Sequence, residues 1–294
     1  MRLYDTHFHL DLQKNVKAAI EEISANKIYT IAMTNLPVLY EKEQKEYEDS
    51  YIRIALGFHP ELIGEYKKYI PMMWEKLPSA RYVGEVGLDF SDSAYKKEQL
   101  TFFEELIAKC REDKNKILSI HSRKAEIEVL NCLRGRISFK PILHWYTGNI
   151  KNIEDAVDIG CYFSINQKMM QTIKFKKMVE IIPLNRILLE TDSPFGSNTQ
   201  AHSNMLIQTT SMLANILNIK KEYRELFKRY NEIKLELKNN YGDDKEKQRK
   251  LDLLRYQLKE IENVNLKVGE DEKLEEQRKI IMNSEKRWKK LLQG

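Results

Sequence analysis

Two histidines one residue apart open the chemistry of this chain. His7-Phe-His9 closes the first apolar run, and on an extended backbone residues i and i+2 point the same way, so both rings can face one ion. Asp5 lies two residues earlier and suits a supporting place behind them. The pair alone is a weak signal. It gains weight because His59, His121 and His144 also sit at or just beyond the ends of short aliphatic runs, which leaves only His202 of the six histidines elsewhere. Each of these alone is more often a hydrogen-bonded structural residue than a ligand. Scattered structural histidines would not be expected to favour one kind of position so consistently.

Two carboxylates join them. Glu85 stands between glycines in Val83-Gly-Glu-Val-Gly-Leu-Asp89, and a carboxylate on an apolar strand is costly to bury without a cation or donor. A salt bridge would satisfy it, but with histidines arriving at the same rim a carboxylate bridging two metals explains more. Asp192, in Leu188-Leu-Glu-Thr-Asp-Ser-Pro194, can bind an ion and take a proton from water. Imidazole with carboxylate suits Zn²⁺, Mn²⁺ or a similar divalent ion and excludes a thiolate site. Around this set, His59 in Gly57-Phe-His-Pro60 reads as a substrate contact, and His202, in a polar loop, as solvent-exposed. Arg123 and Lys124 are expected to begin a helix, where free N–H groups favour anions, so Arg123 is a candidate phosphate contact with an outer salt bridge as its alternative. Trp145 and Tyr146 could stack a base or simply pack.

What must position these groups is a repeated strand and helix. Residues 2–5, 29–33, 52–56, 82–86, 116–120, 140–143, 162–165 and 186–190 are short runs with little in–out alternation, as in parallel strands buried on both faces. Amphipathic segments near 14–24, 95–110 and 123–133 lie between them. Eight such repeats predict an α/β fold of the TIM-type (β/α)8 class, whose strand ends converge on the face that carries active sites. A doubly wound open sheet is the alternative, lowered by the lack of a glycine-rich phosphate loop.

The chain divides in character near residue 220. Residues 221–294 hold 20 Lys and Arg and 16 Asp and Glu, with no proline and no histidine, against 29 and 28 in the first 220. Leu226, Tyr230, Ile233 and Leu237, then Leu251, Leu254, Leu258 and Ile261, are spaced for apolar helical seams. The expected organisation is a barrel over 1–220 and a charged α-helical hairpin or coiled-coil extension over 221–294. The net charge of +5 permits a nucleic-acid partner without requiring one. Cys110, Cys132 and Cys161 read as reduced core residues, and with no signal-peptide pattern and no membrane-length apolar run the expected setting is cytoplasmic.

Taken in order, His7-Phe-His9, Gly84-Glu-Val-Gly-Leu-Asp89, Ile120-His-Ser-Arg123, His144-Trp-Tyr-Thr-Gly148 and Glu190-Thr-Asp-Ser-Pro194 resemble the motifs of TatD-type metal-dependent deoxyribonucleases over roughly residues 1–200. The resemblance implies two divalent ions (Mg²⁺, Mn²⁺ or Zn²⁺) and hydrolysis of DNA phosphodiester bonds, often from an end. It places His7, His9 and Asp192 on one ion and His121 and His144 on the other, with Glu85 between them. The wording of residues 116–123 and 162–166 is similar to TatD-like members of Qat antiphage systems, which would add defence-system partners. From about Tyr223 the chain resembles a coiled-coil region of the DNA-repair protein RecN without its ATPase motifs, and self-association or a protein partner is expected there. Two other functions remain open: a related barrel hydrolase acting on a small ester, lactone or amide, and an inactive barrel carrying a working helical tail. A carboxylated lysine marks several of the small-molecule hydrolases, and Glu85 stands where it would fall.

Overall fold

Short runs of β-branched and aliphatic residues, each ended by a polar or glycine residue, form eight strands in the computed structural model, which describes residues 2–91, 94–196, 202–217, 229, 232–233 and 244–263. They are β1 (Leu3–Phe8), β2 (Ile28–Met33), β3 (Ile52–Ala55), β4 (Tyr82–Gly87), β5 (Ile117–His121), β6 (Lys140–His144), β7 (Tyr162–Ile165) and β8 (Ile187–Leu189). Consecutive strands pair in parallel within two sets, β1 to β3 and β4 to β8.

Two seams join the sets. At the first, the Leu56 and Gly84 N–H groups donate to the Tyr82 and Leu56 carbonyls, both at 2.9 Å, beside a parallel bridge from Leu56 to Val83. At the second, the Thr6 hydroxyl donates to the Leu189 carbonyl at 3.0 Å, the Asp192 N–H to the His7 carbonyl at 2.9 Å, and the His9 N–H to the Ser193 carbonyl at 3.0 Å. The ring is closed. This is the TIM-type barrel that the strand pattern predicts.

Helices cover the outside. They include α1 (Val16–Asn26), α2 (Pro37–Glu46), α3 (Ile70–Lys76), α4 (Lys96–Cys110), α5 (Glu126–Leu133), α6 (Lys151–Ile159), α7 (Gln167–Met170), α8 (Phe175–Ile181) and α9 (His202–Ile216). Local sequence accounts for their limits. The Asn15 side chain caps α1 by accepting the Ala18 N–H, and Gly160 ends α6 at φ 103°, where a side chain would be strained. Phe102, Phe103, Leu106 and Ile107 of α4 pack on the barrel wall. All three cysteines are free, and burial pushes the Cys110 thiol up to about 12.

Two expectations need correcting. The helix after β5 starts at Glu126, so Arg123 and Lys124 lie in the preceding turn, with Lys124 at φ 53°; no helix N-terminus is available there to bind an anion. His202 is buried at the first residue of α9 rather than exposed in a loop.

The chain separates into two compact units, Met1–Lys220 and Lys221–Gly294. In the second, α10 (Asp244–Asn263) carries Leu251 and Leu254 exposed to solvent. Of the first expected apolar seam, Leu226, Tyr230 and Leu237 lie outside the described residues. Among the described residues no helix is long and apolar enough to cross a membrane.

Candidate metal centre

The strand ends of one barrel face hold a buried cluster of imidazoles and carboxylates. His7 and His9 leave β1 with their Nε2 atoms 3.3 Å apart. The Glu85 Oε2 atom lies 3.7 Å and 3.5 Å from those two nitrogens, and the Asp192 Oδ1 atom 3.7 Å and 3.3 Å. Donors around one tetrahedral ion with bonds of roughly 2.1 Å stand about 3.4 Å apart, so the four atoms are spaced as an ion would have them. The other Glu85 oxygen, Oε1, lies 2.7 Å from His121 Nδ1 and 2.9 Å from His144 Nε2, which are 3.3 Å from each other. One carboxylate therefore faces two separate pairs of histidines. His7, His9 and Glu85 form one group within ligating reach, and His59, Glu85 and His121 another.

Supporting contacts decide which ring nitrogen faces inward. His7 Nδ1 contacts the Ser119 hydroxyl at 2.8 Å, leaving Nε2 for the centre. His121 Nε2 meets Asp89 Oδ2 at 2.7 Å, leaving Nδ1. Such carboxylate–histidine pairs are the usual way to fix a ligand ring. His59 differs: its Nδ1 accepts the Glu61 N–H at 3.3 Å, so its proton sits on Nε2, and a protonated nitrogen donates instead of ligating. The geometry favours the substrate-contact reading of His59 although its Nε2 is 3.4 Å from Glu85 Oε1.

Glycine makes the close approach possible. Gly87 pairs with His121 across β4 and β5 at φ 136°, and a Cβ there would fall 2.1 Å from the His121 carbonyl oxygen. Asp192 and Trp145 have positive φ, at 47° and 38°. Such conformations cost energy in residues other than glycine and cluster where side chains are aimed.

The electrostatics of the set follow from burial and from the close approach of imidazoles to carboxylates. Burial pushes the Glu85 carboxyl up, but the surrounding imidazoles, His59 and His144 first and then His121, outweigh it and hold the group well below the usual range. Burial opposes charge on His121, and the Asp89 and Glu85 hydrogen bonds overcome it and raise the imidazole to about 10. Burial and His7 lower His144 to about 4. Asp192 Oδ1 and His9 Nδ1 are buried without a hydrogen-bond partner among the described residues. An ion among these donors fits the chemistry of the set.

Behind the cluster lie supporting residues, of which Glu190 had no role in the sequence reading and Asp5 stands where that reading put it. Glu190 is fully buried, with Oε1 accepting from the Trp145 N–H and the Asn166 amide and Oε2 bonded to the Ser164 hydroxyl. Both oxygens are thus engaged, which makes it a fastener and not a ligand, although it lies within reach of His7 and His144. Asp5 accepts from the Thr191 N–H, the Thr191 hydroxyl and His202 Nε2, the last at 2.6 Å. Tyr146 is packed, its hydroxyl donating to the Asn149 carbonyl. A cleft of about 570 Å³ opens over the cluster and is walled by Arg123, Trp145, Lys168 and Phe195.

Comparison with known proteins meets this geometry directly. The family model described as TatD related DNase matches residues 4–232. The chain belongs to the TatD-related DNase family. That match runs past the last motif and through α9. Among TatD-like relatives, the uncharacterized metal-dependent hydrolase YabD of Bacillus subtilis is 29% identical over 66% of this chain and 80% of its own length. Human deoxyribonuclease TATDN3 is 27% identical over 65% of this chain and 78% of its own. The crystal structure of the TatD homolog YJJV from Escherichia coli shares the fold, with a TM-score of 0.59 at 18% identity, over 73% of this chain and 90% of that one. This protein is a TatD-family metal-dependent hydrolase.

Of the supporting residues to which the sequence reading assigned no role, Asp89 was the most legible. It lies just past the β4 end in the same motif as Glu85, where a buried acid needs a partner. His202 gave no such signal, because its partner Asp5 is 197 residues away.

Proposed function

We propose that this protein hydrolyses DNA phosphodiester bonds from an end, with two divalent ions held at the barrel mouth. His7, His9 and Asp192 would hold one ion, His121 and His144 the other, and Glu85 would reach both. The observation that carries the reading is the division of Glu85, with Oε2 toward His7 and His9 and Oε1 toward His121 and His144. When bound, the ions would lower the pKa of the attacking water and offset charge on the phosphoryl oxygens.

The remaining work falls to the protein's own groups. Asp192, buried beside His7 and His9, takes the proton from water as oxygen attacks phosphorus. His59 presents its Nε2–H to a phosphoryl oxygen, and Arg123 on the cleft wall neutralises a second. The bond to the leaving oxygen breaks, that oxygen takes up a proton from solvent while Asp192 gives its own back, and the products are a phosphate monoester and an alcohol. No side-chain nucleophile is required, because water attacks phosphorus directly.

Glu85→Gln and His121→Ala are expected to abolish Mn²⁺- or Mg²⁺-dependent release of nucleotides from labelled DNA while circular dichroism stays unchanged. Undiminished release by both folded variants would remove the basis for the reading.

A further inference from the structure

The cleft above the ligands has an aromatic and cationic wall that the chemistry of hydrolysis does not use. Phe195 follows the Asp192-Ser-Pro segment and is 53% exposed, unusual for a phenylalanine lining a polar cleft. One edge is fixed: its ring stands perpendicular to His9, with centroids 5.3 Å apart. Opposite it, the Lys168 ammonium sits 5.5 Å over the half-buried Trp145 ring and donates to the Phe195 carbonyl. Lys168 is thus held in place across the mouth, tying α7 to the segment after β8. A flat apolar face, a fixed cation and a metal centre share one cleft.

We propose that Phe195 is the platform for the base of the nucleotide being removed, and that Lys168, pinned between Trp145 and the Phe195 carbonyl, receives the phosphate next to the scissile one along the strand. The inference rests on the nuclease reading and adds to it the feature that sets which ends are accepted. An exposed aromatic ring next to a fixed positive charge matches the alternation of base and phosphate in a nucleic-acid strand, and base–aromatic stacking tolerates any base because each has a π face. A small ester or amide would leave the wall without an occupant.

The test compares two oligodeoxynucleotides of one length that differ only at the terminal unit, which bears a normal base in one and an abasic tetrahydrofuran in the other. Both present the same scissile bond. The wild-type protein with Mn²⁺ should release the base-bearing unit about tenfold faster or more. Phe195→Ala should bring that ratio close to one, and Phe195→Tyr should restore it. Lys168→Met should raise KM for oligonucleotides more than it lowers kcat, and it should flatten the salt dependence. Equal wild-type rates on the two ends, or a ratio that Phe195→Ala leaves intact, would overturn the platform while the nuclease reading stood. Hydrolysis of neither substrate would overturn both.

Discussion

Asp89 shows how much of this centre depends on a group that need not touch an ion. Its carboxylate holds His121 by Nε2, and burial, which works against the charge, is outweighed by hydrogen bonds from His121 and Ser91 that lower its pKa. Removing such a partner commonly weakens metal affinity by about ten- to a hundredfold. Asp89→Asn should therefore lower Mn²⁺ affinity by that factor in calorimetry, with the fold intact; unchanged affinity would mean that His121 is oriented by packing alone. Glu43 of α2 offers a pH test away from the ligand set. Burial first, then the Asp11 charge, raises its carboxyl from 4.5 to about 8, and neither oxygen has a partner among the described residues. An acid whose folded pKa is raised stabilises the fold fully below its unfolded value and loses that contribution as pH rises through the folded one. Thermal stability should fall between pH 4.5 and 8 on this account, and Glu43→Gln should flatten the decline. A variant that tracks the wild-type curve would show that Glu43 titrates normally.

At the scale of elements, the same strand that begins the barrel is held by the helix that ends the unit. Asp5 of β1 and His202 of α9 are both buried and 2.6 Å apart, and the His202 ring stacks on Phe8 with centroids 4.5 Å apart. Breaking a buried pair by deleting one partner costs about 3–5 kcal/mol. His202→Leu should lower stability to denaturant by that order, and a loss below about 1 kcal/mol would place the pair in a solvated setting. Elements differed in how readily they could be read from sequence. Each strand was visible because parallel strands buried on both faces are continuous apolar runs, and Glu85 and Asp192 were visible because charge on such a run needs a reason. Asp5 and His202 were not readable as a pair, since no local pattern marks a contact between the first strand and the last helix. Arg123 was misplaced because the Ser122–Ala125 turn, with its N–H donated from Ala125 to the Ser122 carbonyl, delays the helix by three residues without any proline or glycine to announce it.

Across the whole molecule, every proposed ligand lies between His7 and Asp192, and the charged tail contributes none. The family match ends at 232, whereas the compact units divide at 220 and 221. Truncations after 220 and after 232 should both bind Mn²⁺ as tightly as the full chain. If only the longer one does, residues 221–232 belong functionally with the barrel. The tail was readable only as apolar spacing and charge, because a solvated helix carries little besides its seam, and Leu251 and Leu254 on α10 are exposed.

The hydrogen bonds from Asp192 N–H to His7 and from His9 N–H to Ser193 have a consequence for biogenesis. Residues from the first and last strands are stitched at the very place where they would cage one cation. A chain emerging from the ribosome offers the histidine half of that cage at once and its acidic half only after nearly two hundred residues. Ion capture at this position would consequently be a late event in folding, and a cation seated there would act as a clasp that keeps the finished cylinder from reopening.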